Sequence, residues 1–229
     1  MNIYKDIETR TNGEIYIGVV GPVRTGKSTF IKRFMELMVL PAITDENNRK
    51  RAMDELPQSA AGKTVMTTEP KFIPKEAVEV FFEDGVHFKC RMIDCVGYMV
   101  QGAEGHEEDG KERLVKTPWF DYDIPFTKAA EIGTKKVIYD HSTVGIVVTC
   151  DDTISELNRS AYIQPETQTM NELKSLGKPF IVVLNSRKPA SMETVELARQ
   201  MEEDYGVAVL PINCDQLRKT DVVHIFEAL

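Results

Sequence analysis

Hydrophobic positions along the chain fall into two kinds of segment that alternate. Compact runs rich in β-branched residues occupy residues 14–22, 144–150, 179–185 and 207–213, which is typical of strands buried in a sheet. Longer stretches with apolar residues at helical spacing predict helices over residues 27–40, 127–142, 165–176, 191–205 and 216–229, with a shorter one near 46–55. Strands that alternate with helices of this length indicate βαβ units. The pattern therefore predicts an α/β fold with a mainly parallel sheet and helices on both of its faces.

Three segments depart from this alternation. Residues 78–97 hold two strand-like runs around Asp84-Gly85, a dipeptide that favours a tight hairpin, and so predict one antiparallel edge strand. Residues 98–126 are rich in glycine and charge and predict a long, mobile loop. Residues 41–76 are polar and predict a loop that contains only the short helix. All of these segments fit within one domain that covers residues 1–229.

Composition narrows the class of protein. The 229 residues include 42% hydrophobic ones, which is enough for one domain with a substantial core. The formal charge of −8 argues against a surface for DNA or RNA, and we expect no nucleic-acid partner. No apolar run approaches the roughly 20 residues that span a bilayer, and the first residues lack the apolar stretch of a signal peptide. We therefore expect a cytoplasmic protein. The four cysteines are scattered without C-x-x-C spacing, and we expect them to be buried free thiols.

A phosphate-binding motif lies between the first predicted strand and the first predicted helix. Residues 21–28, GPVRTGKS, satisfy the pattern G-x-x-x-x-G-K-[ST] in the strand-to-helix context that gives the pattern meaning. Gly21 and Gly26 allow the backbone to turn its N–H groups toward phosphate oxygens, and the helix N-terminus adds partial positive charge. We expect Lys27 to reach the β- and γ-phosphates and Ser28 to hold Mg²⁺. The other residues expected to border the nucleotide are Arg24, Thr25 and Thr29. Arg24 either contacts a phosphate or a partner, or supplies charge to the transition state as an arginine finger does.

Two further elements belong with this motif. Asp94 and Gly97 form a D-x-x-G pattern at the end of a predicted strand, where a carboxylate can hold a Mg²⁺-bound water and the glycine N–H can meet the γ-phosphate. The loop before the hairpin contains Thr64, Thr67 and Thr68. We expect Thr67 or Thr68 to sense the γ-phosphate, with Thr68 as the candidate metal ligand.

Two positions differ from those of guanine-specific P-loop proteins. Many related GTPases follow D-x-x-G with a glutamine that orients the attacking water, whereas Tyr98 stands here, so we expect slow intrinsic hydrolysis. The turn after the strand at 179–185 carries Asn-Lys-x-Asp in guanine-binding proteins, and here it holds Asn185, Ser186, Arg187 and Lys188. A lysine only donates hydrogen bonds, so it cannot accept the two N–H groups by which a carboxylate recognises guanine. We expect residues 185–187 to border the base without a preference for guanine.

The chain closely resembles one protein family along nearly all of its length. The segments that carry the resemblance are GPVRTGKSTFIKRFMEL, DELPQSAAGKTVMTTEP, IDCVGY, TPWF, AAEIGTKKVI and HSTVGIVVT. They are similar to the N-terminal domain of the stage IV sporulation protein A family, P-loop NTPases of the translation-factor-related GTPase type that are known for using ATP. The resemblance implies ATP and Mg²⁺ at a site formed by residues 21–28 together with Asp94, Thr67 and Thr68.

The resemblance also implies a role in building the bacterial spore coat. In the family, ATP hydrolysis drives self-assembly of the coat's basement layer on the forespore surface, in the mother-cell cytoplasm. The implied partners are further copies of the protein, a small amphipathic membrane-associated sporulation protein and other coat proteins. Two alternatives stay open on sequence grounds: a regulatory GTPase switch, and a nucleotide-binding scaffold that assembles without turnover.

Overall fold

A six-stranded sheet organises the fold. The computed structural model describes residues 13–57, 68–81, 87–103, 105–108 and 110–229. In chain order, the strands are β1 (Glu14–Val20), β2 (Lys71–Phe81), β3 (His87–Asp94), β4 (Glu107–Glu108), β5 (Lys111–Glu112), β6 (Leu114–Thr117), β7 (Phe120–Pro125), β8 (Val144–Cys150), β9 (Phe180–Asn185) and β10 (Val209–Ile212). The main sheet has the order β10-β9-β8-β1-β3-β2. Neighbouring strands are parallel except for the edge pair β2 and β3, which confirms the predicted sheet.

Helices cover both faces of this sheet. They are α1 (Lys27–Phe34), α2 (Glu46–Asp54), α3 (Phe126–Lys136), α4 (Ser160–Ser175), α5 (Met192–Tyr205) and α6 (Lys219–Glu227). Helix α1 continues through a π-helical turn and a short 3-10 turn to Ala42, and α3 continues through a π-helical turn to His141. A separate 3-10 turn, Cys214–Gln216, precedes α6, which is why α6 begins later than the predicted residue 216.

Two apolar layers hold the helices against the sheet. On one face, Phe30 and Phe34 of α1 and Phe226 of α6 pack against the strands. On the other face, α3 with its π-helical turn, α4 and α5 contribute Ile138, Met170 and Met201 among others. Strand β8 lies in the middle and is buried at all seven of its positions. Burial on both faces explains why its sequence is continuously apolar rather than alternating.

The edge strand is longer than predicted. Strand β2 begins at Lys71, whereas the sequence pattern placed residues up to 76 in a loop. The pairing of β2 with β3 is irregular between Ile73 and Val78, in the part of the strand that contains Pro74. A proline lacks the N–H of a ladder bond and is tolerated because β2 lies at the sheet edge. The predicted turn at Asp84-Gly85 lies outside the described residues.

The expectation of a long mobile loop over residues 98–126 was wrong for the residues that the structure describes. Strands β4 and β5 form one small antiparallel pair, and β6 and β7 form another. The β6–β7 hairpin is fixed to the body of the fold because Ile124 and Thr117 are buried and Trp119 lies beside α3. Glycine and charge in this segment concealed the buried anchors Thr117 and Ile124.

Helix α4 also begins earlier than predicted. Its first residue is Ser160 rather than a residue near 165, so Pro165 lies inside the helix. A proline is favoured in the first turn of a helix, so its place inside α4 departs from local preference. The buried Tyr162 and Glu166 show that the first turns of α4 are held by tertiary contacts.

Candidate functional site

The residues of the phosphate-binding motif form the connection between β1 and α1, at the carboxyl edge of the parallel strands. Gly21 and Gly26 have φ values of 127° and 99°, a region that residues with a Cβ rarely adopt. A Cβ at Gly21 would lie 2.4 Å from the Val148 carbonyl oxygen, and one at Gly26 would lie 2.4 Å from Asn185 Nδ2. Both positions therefore require glycine for conformation and for space.

Lys27 lies inside this loop with its ammonium group enclosed. Its side chain is only 4% exposed, and Nζ donates to the carbonyl oxygens of Gly21 (3.3 Å) and Pro22. Burial lowers the pKa of Lys27, although the nearby Asp94 charge acts in the opposite direction. Among the described residues, the hydrogen bonds of this buried ammonium go to neutral carbonyl oxygens, and an anion would stabilise such a group strongly.

Asp94 at the end of β3 meets Ser28 at the start of α1. Ser28 Oγ donates to Asp94 Oδ2 over 3.1 Å. Asp94 Oδ1 is buried and has no hydrogen-bond partner among the described residues. Burial raises the pKa of Asp94 because it outweighs the attraction of Lys27 and the bond from Ser28. A hydroxyl beside a carboxylate with one unpartnered oxygen is an oxygen-only donor set, which suits Mg²⁺.

Gly97 closes over the same loop. It is buried with φ 98°, and a Cβ there would lie 2.2 Å from the Gly21 carbonyl oxygen and 2.6 Å from Lys27 Nζ. Its N–H donates to Thr134 Oγ1 of α3 over 3.1 Å. The group expected to meet a γ-phosphate is therefore next to Lys27, but in this structure it is bonded to α3.

Of the expected sensor threonines, the structure describes Thr68, whereas Thr64 and Thr67 lie outside the described residues. Thr68 is buried three residues before β2, and its carbonyl oxygen lies against Gly133 of α3. In the β2–β3 pairing, Lys71 lies opposite Asp94. Thr68 thus lies three residues along the chain from Lys71, the residue that pairs with Asp94.

Tyr98 points away from the phosphate-binding loop. The side chain is buried, and its hydroxyl donates to Glu172 of α4. Its backbone pairs with the loop, because Tyr98 N donates to Gly21 O (3.3 Å) and Tyr98 O accepts from Val23 N (2.9 Å). Burial, reinforced by the bond to Glu172, raises the pKa of Tyr98 far above its ordinary value. The phenol is committed to α4 and is not placed to orient water at a phosphate.

The other expected phosphate-side residues differ in exposure. Thr25 is fully buried, and its hydroxyl donates to Pro22 O over 3.0 Å, so it stabilises the loop itself. Arg24 is exposed and has φ 62°, a left-handed conformation that is rare for a residue with a side chain. Thr29 is half-buried in the first turn of α1.

Asn185 joins the phosphate-binding loop to the turn after β10. Its Nδ2 donates to Thr25 O over 2.9 Å, and its Oδ1 accepts from Cys214 N over 3.0 Å. Asn213 Oδ1 accepts the next two N–H groups, those of Asp215 (3.1 Å) and Gln216 (3.3 Å). All three N–H groups of the Cys214–Gln216 turn are therefore bonded to side-chain amides and cannot serve a carbonyl of a base without rearrangement.

The remaining base-side residues follow Asn185 directly. Ser186 is fully buried, and its hydroxyl accepts from Lys188 N over 2.9 Å. Arg187 is exposed, while its N–H donates to Thr153 Oγ1 over 2.8 Å. Thr153 is fixed in turn by the buried carboxylate of Asp151. The structure thus places Asn185 against the phosphate-binding loop, whereas Ser186 bonds within the turn and Arg187 bonds to Thr153.

Comparison with known proteins decides the family. The family model "Stage IV sporulation protein A, ATPase domain" matches residues 1–229. Stage IV sporulation protein A of Clostridioides difficile (strain 630) is 56% identical over 228 residues, which is all of this chain and 46% of the relative. The proteins of the same name from Bacillus subtilis (strain 168) and Bacillus anthracis are 54% and 52% identical, each over 230 residues that make up 47% of the relative.

The chain belongs to the stage IV sporulation protein A family. It corresponds to the part of the family that is described as an ATPase domain, and it spans about half the length of the curated relatives it matches. A solved structure of an SsGBP variant aligns with 98% of this chain and 57% of that chain at 17% identity, with a TM-score of 0.49. Among the helices that the structure describes, none has the length and apolarity needed to cross a bilayer.

Three contacts at the candidate site were not predicted from the sequence. Thr134 bonds Gly97, Gly133 accommodates the Thr68 carbonyl, and Asn213 holds the turn after β10. Gly133 had one usable signal, since an isolated glycine within a helical pattern often marks a close packing contact. Asn213 also had a local signal, because an asparagine at a helix N-cap accepts the N–H groups two and three residues further on. Thr134 had none, because its partner Gly97 is 37 residues away in the chain.

Proposed function

We propose that this member of the stage IV sporulation protein A family is a Mg²⁺-dependent ATPase. The observation that carries the proposal is the contact of Ser28 with Asp94, beside a buried carboxylate oxygen that lacks a partner among the described residues. The match to a family ATPase domain supports ATP as the substrate. The side-chain amides that occupy the N–H groups of the Cys214–Gln216 turn support the absence of a guanine preference.

The chain's own residues have separate tasks in this proposal. Lys27 exchanges the carbonyls of Gly21 and Pro22 for phosphate oxygens, which restores a full charge partner to a buried ammonium. The backbone N–H groups of the loop and the N-terminus of α1 hold the β-phosphate. Ser28 and Asp94 would hold Mg²⁺, which when bound neutralises phosphate charge. Thr68, together with Thr67, is proposed to sense the γ-phosphate.

Water must be positioned without a glutamine. Tyr98 is buried and donates to Glu172, so it is not placed to orient the attacking water. Backbone groups, the sensor threonines or a second subunit must do so instead. Because no side-chain amide orients the attacking water here, we expect the chain to hydrolyse ATP slowly on its own. Arg24 is an exposed cation on the loop and is proposed to contact phosphate.

The test is ADP formation by the 229-residue chain with Lys27→Ala as the inactive variant. We expect the substitution to lower turnover at least about 100-fold, because it removes a charge that acts directly on the transferred group. Lys32→Ala is the matched control, since Lys32 lies on the same helix beyond the phosphate-binding loop. Equal, slow ADP formation by wild type and Lys27→Ala would refute the ATPase assignment.

The two alternatives are separated by the same assay. A regulatory GTPase would hydrolyse GTP in preference to ATP. A nucleotide-binding scaffold would bind ATP and form no ADP even in concentrated protein, and the commitment of Tyr98 to Glu172 is the feature that favours it. Turnover of ATP that requires both Mg²⁺ and Lys27 is the result that we expect.

The wider role follows from the family and is likewise proposed. We propose that residues 1–229 form one P-loop NTPase domain, since strands from both halves of the chain share one sheet. ATP hydrolysis is proposed to drive self-assembly of the basement layer of the spore coat on the forespore surface, in the mother-cell cytoplasm. The proposed partners are further copies of the protein, a small amphipathic membrane-associated sporulation protein and other coat proteins. Sedimentation of the same sample with ATP and with ADP tests whether assembly depends on the nucleotide.

A further inference from the structure

One turn of helix α3 contacts both segments that are expected to meet the γ-phosphate. Thr134 Oγ1 accepts the Gly97 N–H over 3.1 Å. At the adjacent residue, Gly133, an added Cβ would lie 2.3 Å from the Thr68 carbonyl oxygen, so this close approach exists only because the residue is glycine. The Gly133-Thr134 pair therefore supports the D-x-x-G segment and the segment that leads into β2 at the same time.

Lys27 Nζ and the neighbouring Gly97 N–H both donate hydrogen bonds to other groups of the protein. Lys27 Nζ donates to the carbonyl oxygens of Gly21 and Pro22. The neighbouring Gly97 N–H is drawn to Thr134, whose own hydroxyl donates to Ala130 O over 2.8 Å. The Thr134 hydroxyl thus uses its proton within the helix and offers a lone pair to Gly97. A phosphate oxygen that is to receive the Gly97 N–H must displace this acceptor.

The same turn also lies beside the β6–β7 hairpin. Trp119, in the tip of that hairpin, would lie 3.4 Å from a Cβ added at Gly133. One turn along α3, Lys136 Nζ lies 5.7 Å from the centre of the Trp119 ring. At the base of the hairpin, Arg113 lies 4.4 Å above the ring of Phe126, the first residue of α3. A shift of this turn would therefore change the surroundings of the only tryptophan in the chain.

We propose that Thr134 is a positioning residue that competes with the γ-phosphate for the Gly97 N–H, and that the Gly133-Thr134 turn transmits this exchange to the Trp119 hairpin. The inference rests on the proposed nucleotide site. When a triphosphate takes the Gly97 N–H, Thr134 loses the N–H that it accepts and keeps its bond to Ala130 O, and the contacts of Gly133 with Thr68 and Trp119 adjust with this change. A diphosphate lacks the competing oxygen, so it leaves the bond from Gly97 to Thr134 in place.

The experiment compares the binding of ADP with that of the β,γ-imido analogue of ATP, which is not hydrolysed. In the wild-type chain we expect different Trp119 emission with the two nucleotides. Thr134→Val removes the competing acceptor and keeps the side-chain shape, so the ratio of the dissociation constants for ADP and the analogue should rise about threefold to tenfold. Thr134→Ser restores the hydroxyl and should return the wild-type ratio.

A matched control comes from helix α4. Thr169 is also fully buried and also donates to the carbonyl oxygen four residues earlier, that of Pro165, over 2.8 Å. Thr169→Val therefore loses the same kind of buried hydroxyl without touching Gly97, and its ratio should equal that of wild type. An unchanged ratio in Thr134→Val, or an equal change in Thr169→Val, would overturn the inference.

A measurement on the wild-type chain keeps the inference testable even where Thr134→Val does not fold. With glycines labelled with ¹⁵N, the amide signal of Gly97 should shift on addition of the analogue and stay in place with ADP. Equal shifts with both nucleotides would contradict the proposed competition. Failure of the wild-type chain to bind either nucleotide would instead remove the proposed function itself, and this inference with it.

Discussion

The phosphate side and the base side of the candidate site are held by different kinds of interaction. On the phosphate side, burial lowers the pKa of Lys27 and raises the pKa of Asp94, so it favours the uncharged form of each group. The present hydrogen-bond partners of both groups are replaceable. On the base side, the neutral side-chain amides of Asn185 and Asn213 form hydrogen bonds to backbone groups of the surrounding loops. The difference indicates that the phosphate side is built to exchange partners, whereas the base side is built as a fixed support.

This contrast separates two properties of a nucleotide-dependent protein. Handling of the triphosphate depends on the buried ammonium, the carboxylate and the segments that contact α3. Choice of base depends on which donors and acceptors the fixed side presents, and there a lysine stands where guanine-specific proteins have a carboxylate. A chain can therefore keep the first property and change the second, which is the combination that the proposed ATPase requires.

The largest effect that tests the contrast is expected from Thr68→Ala. Thr68 is buried beside α3, and its hydroxyl is expected to matter once a γ-phosphate is present. Turnover of ATP should fall about 100-fold, while ATP affinity stays within about threefold of wild type, because the diphosphate part of the site is intact. Equilibrium binding and ADP release measured on one preparation check this. A loss of ATP affinity as large as that of Lys27→Ala would assign Thr68 to nucleotide binding instead.

A second test concerns the metal. Asp94→Asn keeps the shape of the side chain and a bond to Ser28 but removes the charge, so the Mg²⁺ concentration needed for half-maximal turnover should rise about 10-fold to 100-fold. Asp151→Asn is the matched control, because Asp151 is a buried carboxylate at the end of β8 on the base side. An equal rise in both variants would mean that the charge acts through stability of the fold and not through the metal.

A smaller effect is expected on the base side. Lys188→Asp places a carboxylate where guanine-specific proteins carry one, and affinity for GTP relative to ATP should rise about tenfold. Lys188→Ala removes the cation without adding an acceptor and should leave the ratio near that of wild type. Competition between the two nucleotides for one site measures both variants. A ratio that stays constant in Lys188→Asp would show that residue 188 does not reach the base.

The parts of the fold that the sequence predicted well are those in which local pattern and burial agree. Strand β8 was predicted at its observed bounds because every residue in it is apolar or small and buried on both faces. Residues 21–28 were predicted as a loop between a strand and a helix because glycine is needed there for conformation. The assigned roles of Asp94, Thr68 and Lys27 stay predictions until turnover is measured.

The parts that sequence could not predict depend on contacts between distant residues. The bond from Gly97 to Thr134 joins positions 37 apart, and no local pattern indicates it. The β6–β7 hairpin looked like a loop because its anchors, Trp119 and Ile124, are few among polar residues. The early start of β2 was hidden by Pro74, which only an edge position makes acceptable.

The smallest effect concerns two cysteines, one on each side of the site. Cys95 and Cys214 are both buried, and burial raises the pKa of Cys95 to about 11 and that of Cys214 further still. Because the thiolate is the reactive form, a raised pKa leaves almost none of it at pH 8, and neither thiol should react with iodoacetamide in the folded chain.

Mass spectrometry after brief exposure to iodoacetamide measures this reaction, with the guanidinium-unfolded chain as the control in which all four cysteines react. Labelling of Cys95 alone would show that the phosphate side opens by itself, which still fits the contrast between the two sides. Labelling of Cys214 at the same rate would contradict it, because the base side would then be no more fixed than the other.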